Sequence, residues 1–260
     1  MEHTVPRSGM PTLALLFLVT AALYAAVGFG GGSTYNALLV LAGTDYRLLP
    51  SVALLCNLIV VTGGVLHYRR SGDLSWRFAL PFVASSVPMA WLGGRLPIEQ
   101  STFVSLLGVS LFGAGVAMWL QPPETSSRGP ASSRVSWLVG LPLGGAIGFV
   151  SGMVGIGGGI FLAPLLHLLR LAEPKRIAAT ASAFIMVNSI AGLVGQTMKQ
   201  GTTTHFDGLS NYLWLFVAVL VGGQVGSRLS TRALSGRIVK RLTAVLVLYV
   251  AGRLLYTSFA

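Results

Sequence analysis

Val27-Gly28-Phe29-Gly30-Gly31-Gly32 and, 127 positions later, Val154-Gly155-Ile156-Gly157-Gly158-Gly159 are two copies of one phrase, each followed by an apolar run. Glycine loses more backbone entropy on ordering than any other residue, so a glycine triplet inside an apolar segment is costly. Two such triplets at matching places in a 260-residue chain point to a duplicated unit. Paired Gly-interrupted segments in the two halves of an apolar chain are also the sequence feature that marks a substrate site in secondary transporters.

The composition sets the class. Hydrophobic residues make up 53% of the chain and charged residues 10%, and the mean hydropathy is +0.74. A soluble domain carries about 25% charged residues. The expected fold is therefore an all-α polytopic membrane protein. Five apolar segments are read in each half: 12–27, 32–43, 48–67, 76–93 and 101–120, then 135–152, 158–170, 177–198, 210–229 and 238–257. The Pro-, Ser- and charge-rich stretch 121–134 separates a first repeat, 1–120, from a second, 135–260. The run Leu13–Val27 has the length of a signal peptide, but cleavage near Ala25 would cut into the first repeat. The single cysteine, Cys56, lies inside an apolar run and forms no intrachain disulfide.

The repeats match beyond their glycines. Gly93-Gly94-Arg95-Leu96 is echoed by Gly226-Ser227-Arg228-Leu229, and Asn57 with Gly64 by Asn188 with Gly195. The offset drifts from 127 to 131 to 133. Basic residues cluster after segment three in the first half (Arg69, Arg70, Arg77). In the second half they follow segment two (Arg170, Lys175, Arg176) and segment four (Arg232, Arg237, Lys240, Arg241). Equivalent loops thus face opposite sides by the positive-inside rule, which predicts inverted-topology repeats with both termini outside. The net charge of +11 marks cytoplasmic loops and anionic lipid contacts, not nucleic acid. The short runs after the glycine triplets suit broken or re-entrant segments.

All seven acidic residues (Glu2, Asp45, Asp73, Glu99, Glu124, Glu173, Asp207) lie outside the apolar runs. Cation transporters and proton relays ordinarily place a carboxylate within the membrane. Calcium and magnesium sites lack their oxygen ligands, and His67 and His167 are too isolated for a metal site. Inside the spans stand neutral-polar and basic groups, which favour an anion. The expected substrate-binding residues are Gly30, Gly31, Gly32, Ser33, Asn57, Gly157, Gly158, Gly159, Ser182, Asn188 and Gln196. Thr34, Asn36, Thr62, Ser189 and Gln224 are further polar positions in the spans. Arg95 and Arg228 are candidates for gating or for attracting the anion. The physical basis is the helix N-terminus, which presents unpaired N–H groups and a positive dipole end. Two opposed N-termini near the bilayer midplane would cradle a small oxyanion. The alternatives stay open at this point: close helix packing for the glycines, interhelical hydrogen bonds for the asparagines, and snorkelling to the interface for the arginines.

The phrase Gly152-Met153-Val154-Gly155-Ile156-Gly157-Gly158-Gly159-Ile160-Phe161-Leu162-Ala163-Pro164-Leu165-Leu166 resembles the TauE/SafE family, the sulfite exporter-like permeases grouped with toluene sulfonate uptake proteins. Ala179-Thr180-Ala181-Ser182 before Asn188-Ser189 also fits, as does the first copy at Gly28–Gly32. The first half departs from the pattern, with Asn36-Ala37 where the second copy has Ala163-Pro164. The resemblance implies a multi-pass permease of the inner (cytoplasmic) membrane that moves sulfur-containing oxyanions such as sulfite or organosulfonates. No enzyme signature accompanies it, and neither glycine phrase continues into Gly-Lys-[Ser/Thr], so a secondary transporter or facilitator is expected. No cofactor is called for. The expected partners are a small anionic substrate and membrane lipids; a homo-oligomer is compatible with the sequence. The competing class is a non-transport membrane assembly or interaction protein.

Overall fold

A computed structural model of the chain describes residues 10–26, 30–120, 135–200, 209, 212–229 and 236–259. The linker 121–134 lies outside them. The described residues form ten helices and no strand: α1 Met10–Ala26, α2 Gly32–Leu41, α3 Leu49–Arg70, α4 Trp76–Arg95 and α5 Gln100–Leu120. The second set is α6 Trp137–Val154, α7 Gly159–Leu168, α8 Pro174–Gln200, α9 Leu213–Leu229 and α10 Gly236–Phe259. Two sets of five therefore repeat the same order, long helices apart from α2 and α7. Those two have ten residues each. At 1.5 Å per residue they are about 15 Å long, half of a hydrocarbon core of about 30 Å.

Local chemistry sets the helix ends. Pro50 opens α3, where its missing N–H costs nothing, and His67, Arg69 and Arg70 close it against the negative dipole end. The Ser136 hydroxyl caps α6 by accepting from the Leu138 N–H. Gly155 ends α6 at φ +76°, a left-handed cap that suits glycine.

Glycine stripes hold the helices together across the two halves. Along α6, Gly140, Gly144, Gly148 and Gly152 fall four apart and meet Pro81, Phe82, Ser86 and Ala90 of α4 in turn. A Cβ at Gly144, Gly148 or Gly152 would strike an α4 backbone carbonyl, so only glycine admits this approach. The contacts ascend together, so α4 and α6 run parallel. In the same way Gly222 and Gly226 of α9 meet Leu18 and Ala22 of α1, also parallel. Equivalent helices run the other way. Gly108 of α5 meets Leu255 and Gly115 meets Leu248, so α5 and α10 are antiparallel. Gly30 touches both Val61 and Ile185, and Gly192 touches Leu54, so α3 and α8 are antiparallel too. This is the geometry of inverted repeats. It brings the carboxyl end of α3, with Arg69 and Arg70, to the same face as Lys175 and Arg176 at the start of α8.

Large apolar side chains stand on the outer surface of the described helices, as a bilayer requires. Leu15, Val109, Phe112, Leu138 and Leu220 are exposed. Trp76, Trp119, Trp137 and Trp214 are exposed at or next to helix ends, where amphipathic rings sit at the membrane interface.

The repeat also shows in the turns. Ala42, Gly43 and Thr44 donate backbone N–H groups to Leu38, Val40 and Leu39; Leu169, Arg170 and Leu171 donate to Leu165, His167 and Leu166. Every pair is offset by 127. Gly43 has φ +73° and its counterpart Arg170 has φ +50°.

Candidate functional site

The two glycine loops meet at the centre of the α3–α8 pair. A Cβ at Gly30 would lie 2.7 Å from Asn57 Oδ1, 3.1 Å from Val61 and 3.2 Å from Ile185. One at Gly157 would lie 2.7 Å from Asn57 Nδ2, 2.9 Å from Ile185 and 3.3 Å from Ser189 Oγ. Gly32 faces Asn57 Nδ2 and the Ile156 carbonyl, so the first loop touches the second directly. Gly159 packs on Ile185 and the Ala181 carbonyl. Gly31 and Gly158 lie against aromatic rings instead, those of Tyr35 and Phe184.

These contacts correct the register of the repeat in α3 and α8. Gly30 sees Asn57, Val61 and Ile185, and its counterpart Gly157 sees Ile185, Ser189 and Asn57. Exchanging 57 with 185 and 61 with 189 turns one set into the other, an offset of 128. Asn57 therefore corresponds to Ile185, and Asn188 corresponds to Val60. The two asparagines belong to the same helix pair but are not repeat partners. Matching residue types in the sequence gave 131; the backbone gives 128.

Both half-helices point their amino ends into this centre. Neither α2 nor α7 has a side-chain cap: their N-cap residues are Gly31 and Gly158. An uncapped N-terminus leaves N–H groups that an anion or water satisfies. Ser33 in the first turn of α2 is buried.

Amide side chains surround the second loop. Asn36 Nδ2 donates to the Val154 carbonyl at 2.9 Å, Asn57 Nδ2 to the Ile156 carbonyl at 3.1 Å, and Gln196 Nε2 to the Gly152 carbonyl at 3.0 Å. Three carbonyls around a broken helix end are thus satisfied by side chains from α2, α3 and α8. Asn188 and Ser189 are fully buried, and neither the Asn188 amide nor the Ser189 hydroxyl has a hydrogen-bond partner among the described residues. A buried polar group left unpaired costs about 1–3 kcal/mol, which makes Asn188 and Ser189 candidates for contact with a ligand or an ordered water.

Other expected residues lie elsewhere. Ser182 is buried but donates to Ala178 within its own helix at 2.9 Å. Arg95 is exposed at the end of α4, with its guanidinium 5.3 Å from the Trp91 ring centroid. The Arg228 side chain lies outside the described residues. Thr62 and Gln224 are exposed. Three polar residues in the interior carried no sequence signal: Tyr35, Ser51 and Ser151, all buried, with hydroxyls that have no partner among the described residues. A cavity of about 580 Å³ lies away from the glycine centre, beside the carboxyl end of α2, lined by Thr44, Asp45, Arg47, Gln100 and Phe103 among others. At the glycine centre Gly31, Gly32 and Gly157–Gly159 are buried and Gly30 is half-buried; residues 27–29 of the first phrase lie outside the described residues.

The sulfite exporter TauE/SafE family matches residues 13–254. The chain is 32% identical to the probable membrane transporter protein y4hK of Sinorhizobium fredii, over 94% of this chain and 97% of that one. It is 24% identical to the probable membrane transporter protein YunE of Bacillus subtilis, over 91% and 94% of the two chains. No solved structure matches it. A match over nearly the whole length, with four described helices long and apolar enough to cross a membrane and four shorter apolar ones beneath it, makes this chain a polytopic membrane protein of the sulfite exporter TauE/SafE family, a family of membrane transporters.

Proposed function

We propose that the protein is a secondary transporter or facilitator of the inner membrane for small sulfur-containing oxyanions such as sulfite or short organosulfonates. The observation that carries this reading is the meeting of two uncapped half-helix amino ends at one buried centre. Partial positive charge from two dipoles converges there. No carboxylate stands within a described helix to oppose it, since Asp45, Asp73, Glu99 and Glu173 all lie in connections. Asn188 and Ser189 add neutral donors. The inverted repeat supplies a symmetric frame in which one half rocks against the other to open the centre to each side in turn. The family description supports sulfur chemistry for the anion.

The test is flux. Purified protein in proteoliposomes should take up labelled sulfite or a short sulfonate with saturation, and unlabelled substrate should compete. Flux of a divalent metal cation, with none of sulfite, sulfonate or sulfate, overturns the proposal.

A further inference from the structure

The inverted repeat contains one seam twice: α4 against α8, and α9 against α3. The offset between α3 and α8 is 128. That between α4 and α9 follows from two glycines. A Cβ at Gly93 would strike the Phe149 carbonyl, and one at Gly226 the Ala22 carbonyl. Phe149 and Ala22 are 127 apart, so Gly226 is the counterpart of Gly93, an offset of 133. Gly94 then corresponds to Ser227, Trp91 to Gln224, Gly192 to Gly64 and Gly195 to His67.

The two copies of the seam are in different states. Between α4 and α8 the backbones touch. A Cβ at Gly94 would strike the Gly192 carbonyl, and one at Gly195 the Trp91 carbonyl. The Trp91 indole Nε1 donates to Met198 Sδ at 3.4 Å across the same seam. Gly94, Gly192 and Gly195 are buried. Between α9 and α3 the contact is slack. A Cβ at Gly223 would reach only Val60, at 3.9 Å, and one at Gly63 would meet nothing within 4 Å. Val60, Gly64 and His67 share one face of α3, and Gly223 and Ser227 one face of α9, by helical spacing. Along them His67, Gln224 and Ser227 are exposed and Gly64 is half-buried.

Positions exposed in both copies, Leu92 with Val225 and Val194 with Leu66, are lipid faces. The seam positions are exposed in one copy only, and that copy carries an imidazole, an amide and a hydroxyl. Gln224 stands five residues inside the end of α9. A polar group exposed at that depth faces water, not hydrocarbon. The slack seam lies toward the face of Arg69 and Arg70, cytoplasmic by the positive-inside rule. Its inner end reaches the glycine centre: Val61 touches Gly30, which is half-buried where its counterpart Gly157 is buried. Glycine on both sides lets α4 and α8 meet backbone to backbone. His67, in the place of Gly195, puts a ring where that contact would form.

We propose that the α3–α9 seam is a water-filled vestibule lined by His67, Gln224 and Ser227, the cytoplasmic mouth of the translocation path, and that the α4–α8 seam is the matching outer gate, closed in this conformation. This rests on the permease reading above, and its ligand is the same small anion, which meets the three neutral donors on its way to the centre. Transport exchanges the states of the two seams: α3–α9 closes as α4–α8 parts.

The experiment uses the full chain carrying Cys56→Ala in inside-out membrane vesicles, with a charged methanethiosulfonate that reacts only in water. Gln224→Cys and Val225→Cys stand at one depth on α9, the first in the seam and the second on the lipid face. The reagent needs a thiolate, so Gln224→Cys should be modified at least about tenfold faster than Val225→Cys. Equal rates overturn the vestibule. For the gate, a chain with both His67→Cys and Gln224→Cys is oxidised with copper phenanthroline in the membrane. The pair should form a disulfide, since its counterparts Gly195 and Trp91 touch. Anion flux in proteoliposomes should then stop, and return on reduction. Failure to cross-link, or flux that ignores the cross-link, overturns the gate. The arms keep the two proposals apart. Fast modification of Gln224→Cys with no anion flux in the unmodified protein sinks the permease and leaves the vestibule. Anion flux with equal modification rates sinks the vestibule and leaves the permease.

Discussion

Gly152–Ile156 is held by amides from three helices, whereas the positions that would do the same for the first loop are apolar or aromatic. Asn36 has Ala163 as its counterpart, Asn57 has Ile185, and Gln196 has Tyr68. The backbone was copied and kept, and amides from both copies, Asn36 and Asn57 of the first and Gln196 of the second, gather at one helix break. Backbone geometry is held by steric rules that allow no exchange, such as a Cβ against a carbonyl. Side chains around a cavity face no such rule, so they diverge. Two identical halves would be alike at both helix breaks; here, among the described residues, only the second break is surrounded by amides.

The largest expected effects test what the two halves share. Gly144→Leu in α6 and Gly226→Leu in α9 each drive a side chain into a neighbouring backbone, at Phe82 and Ala22. Overpacking costs about 1–3 kcal/mol, and more where the obstacle is backbone that has no rotamer to yield. Both variants should lose the monodisperse peak on size exclusion. Survival of one alone means the cross-repeat seams are not equivalent.

The next test concerns what they do not share. Asn57→Leu removes the donor to Ile156 and leaves that carbonyl unpaired, so stability should fall by about 1–3 kcal/mol. Asn188→Leu breaks no hydrogen bond among the described residues. Its melting temperature should stay near the wild-type value, and its affinity for the anion should fall roughly tenfold. Equal destabilisation of the two variants shows that Asn188 is a structural residue as well.

The smallest effects lie in the turns. Gly43 and Arg170 occupy one left-handed position in two copies. An L-residue there costs about 1–2 kcal/mol, partly offset by the backbone entropy that glycine loses. Arg170→Gly should therefore stabilise the protein by roughly 0.5–1 kcal/mol, read as a rise in melting temperature. A fall shows that the Arg170 side chain makes a contact worth more than the strain.

Much of this was legible in the sequence. Helix boundaries followed the apolar runs to within a few residues, because bilayer burial leaves little doubt about where polar chain begins. The half-helices were legible as short runs after glycine triplets. The register of α3 against α8 was not, because Asn57 and Asn188 looked like a pair by residue type, and register is set by which glycine faces which side chain. The stripe Gly140–Gly152 has a readable spacing of four, but the spacing alone does not say which helix it faces; the carbonyls of α4 do. Ser51 and Ser151 are small polar residues in apolar runs, and only their burial and lack of partners distinguishes them.

The pairing of α1 with α9 has a consequence for how the chain is made. Roughly 200 residues separate the start of α1 from the start of α9. At about 5–20 residues per second, synthesis leaves α1 without its partner for roughly 10–40 seconds. During that interval its seam at Leu18 and Ala22 faces lipid or the insertion machinery. The first half, released alone, would keep that seam open, and α4 would lack α6. Burial of that seam thus waits for the ninth helix, and burial of the α5 seam at Gly108 and Gly115 waits for the tenth, so a truncation before α9 should leave both open.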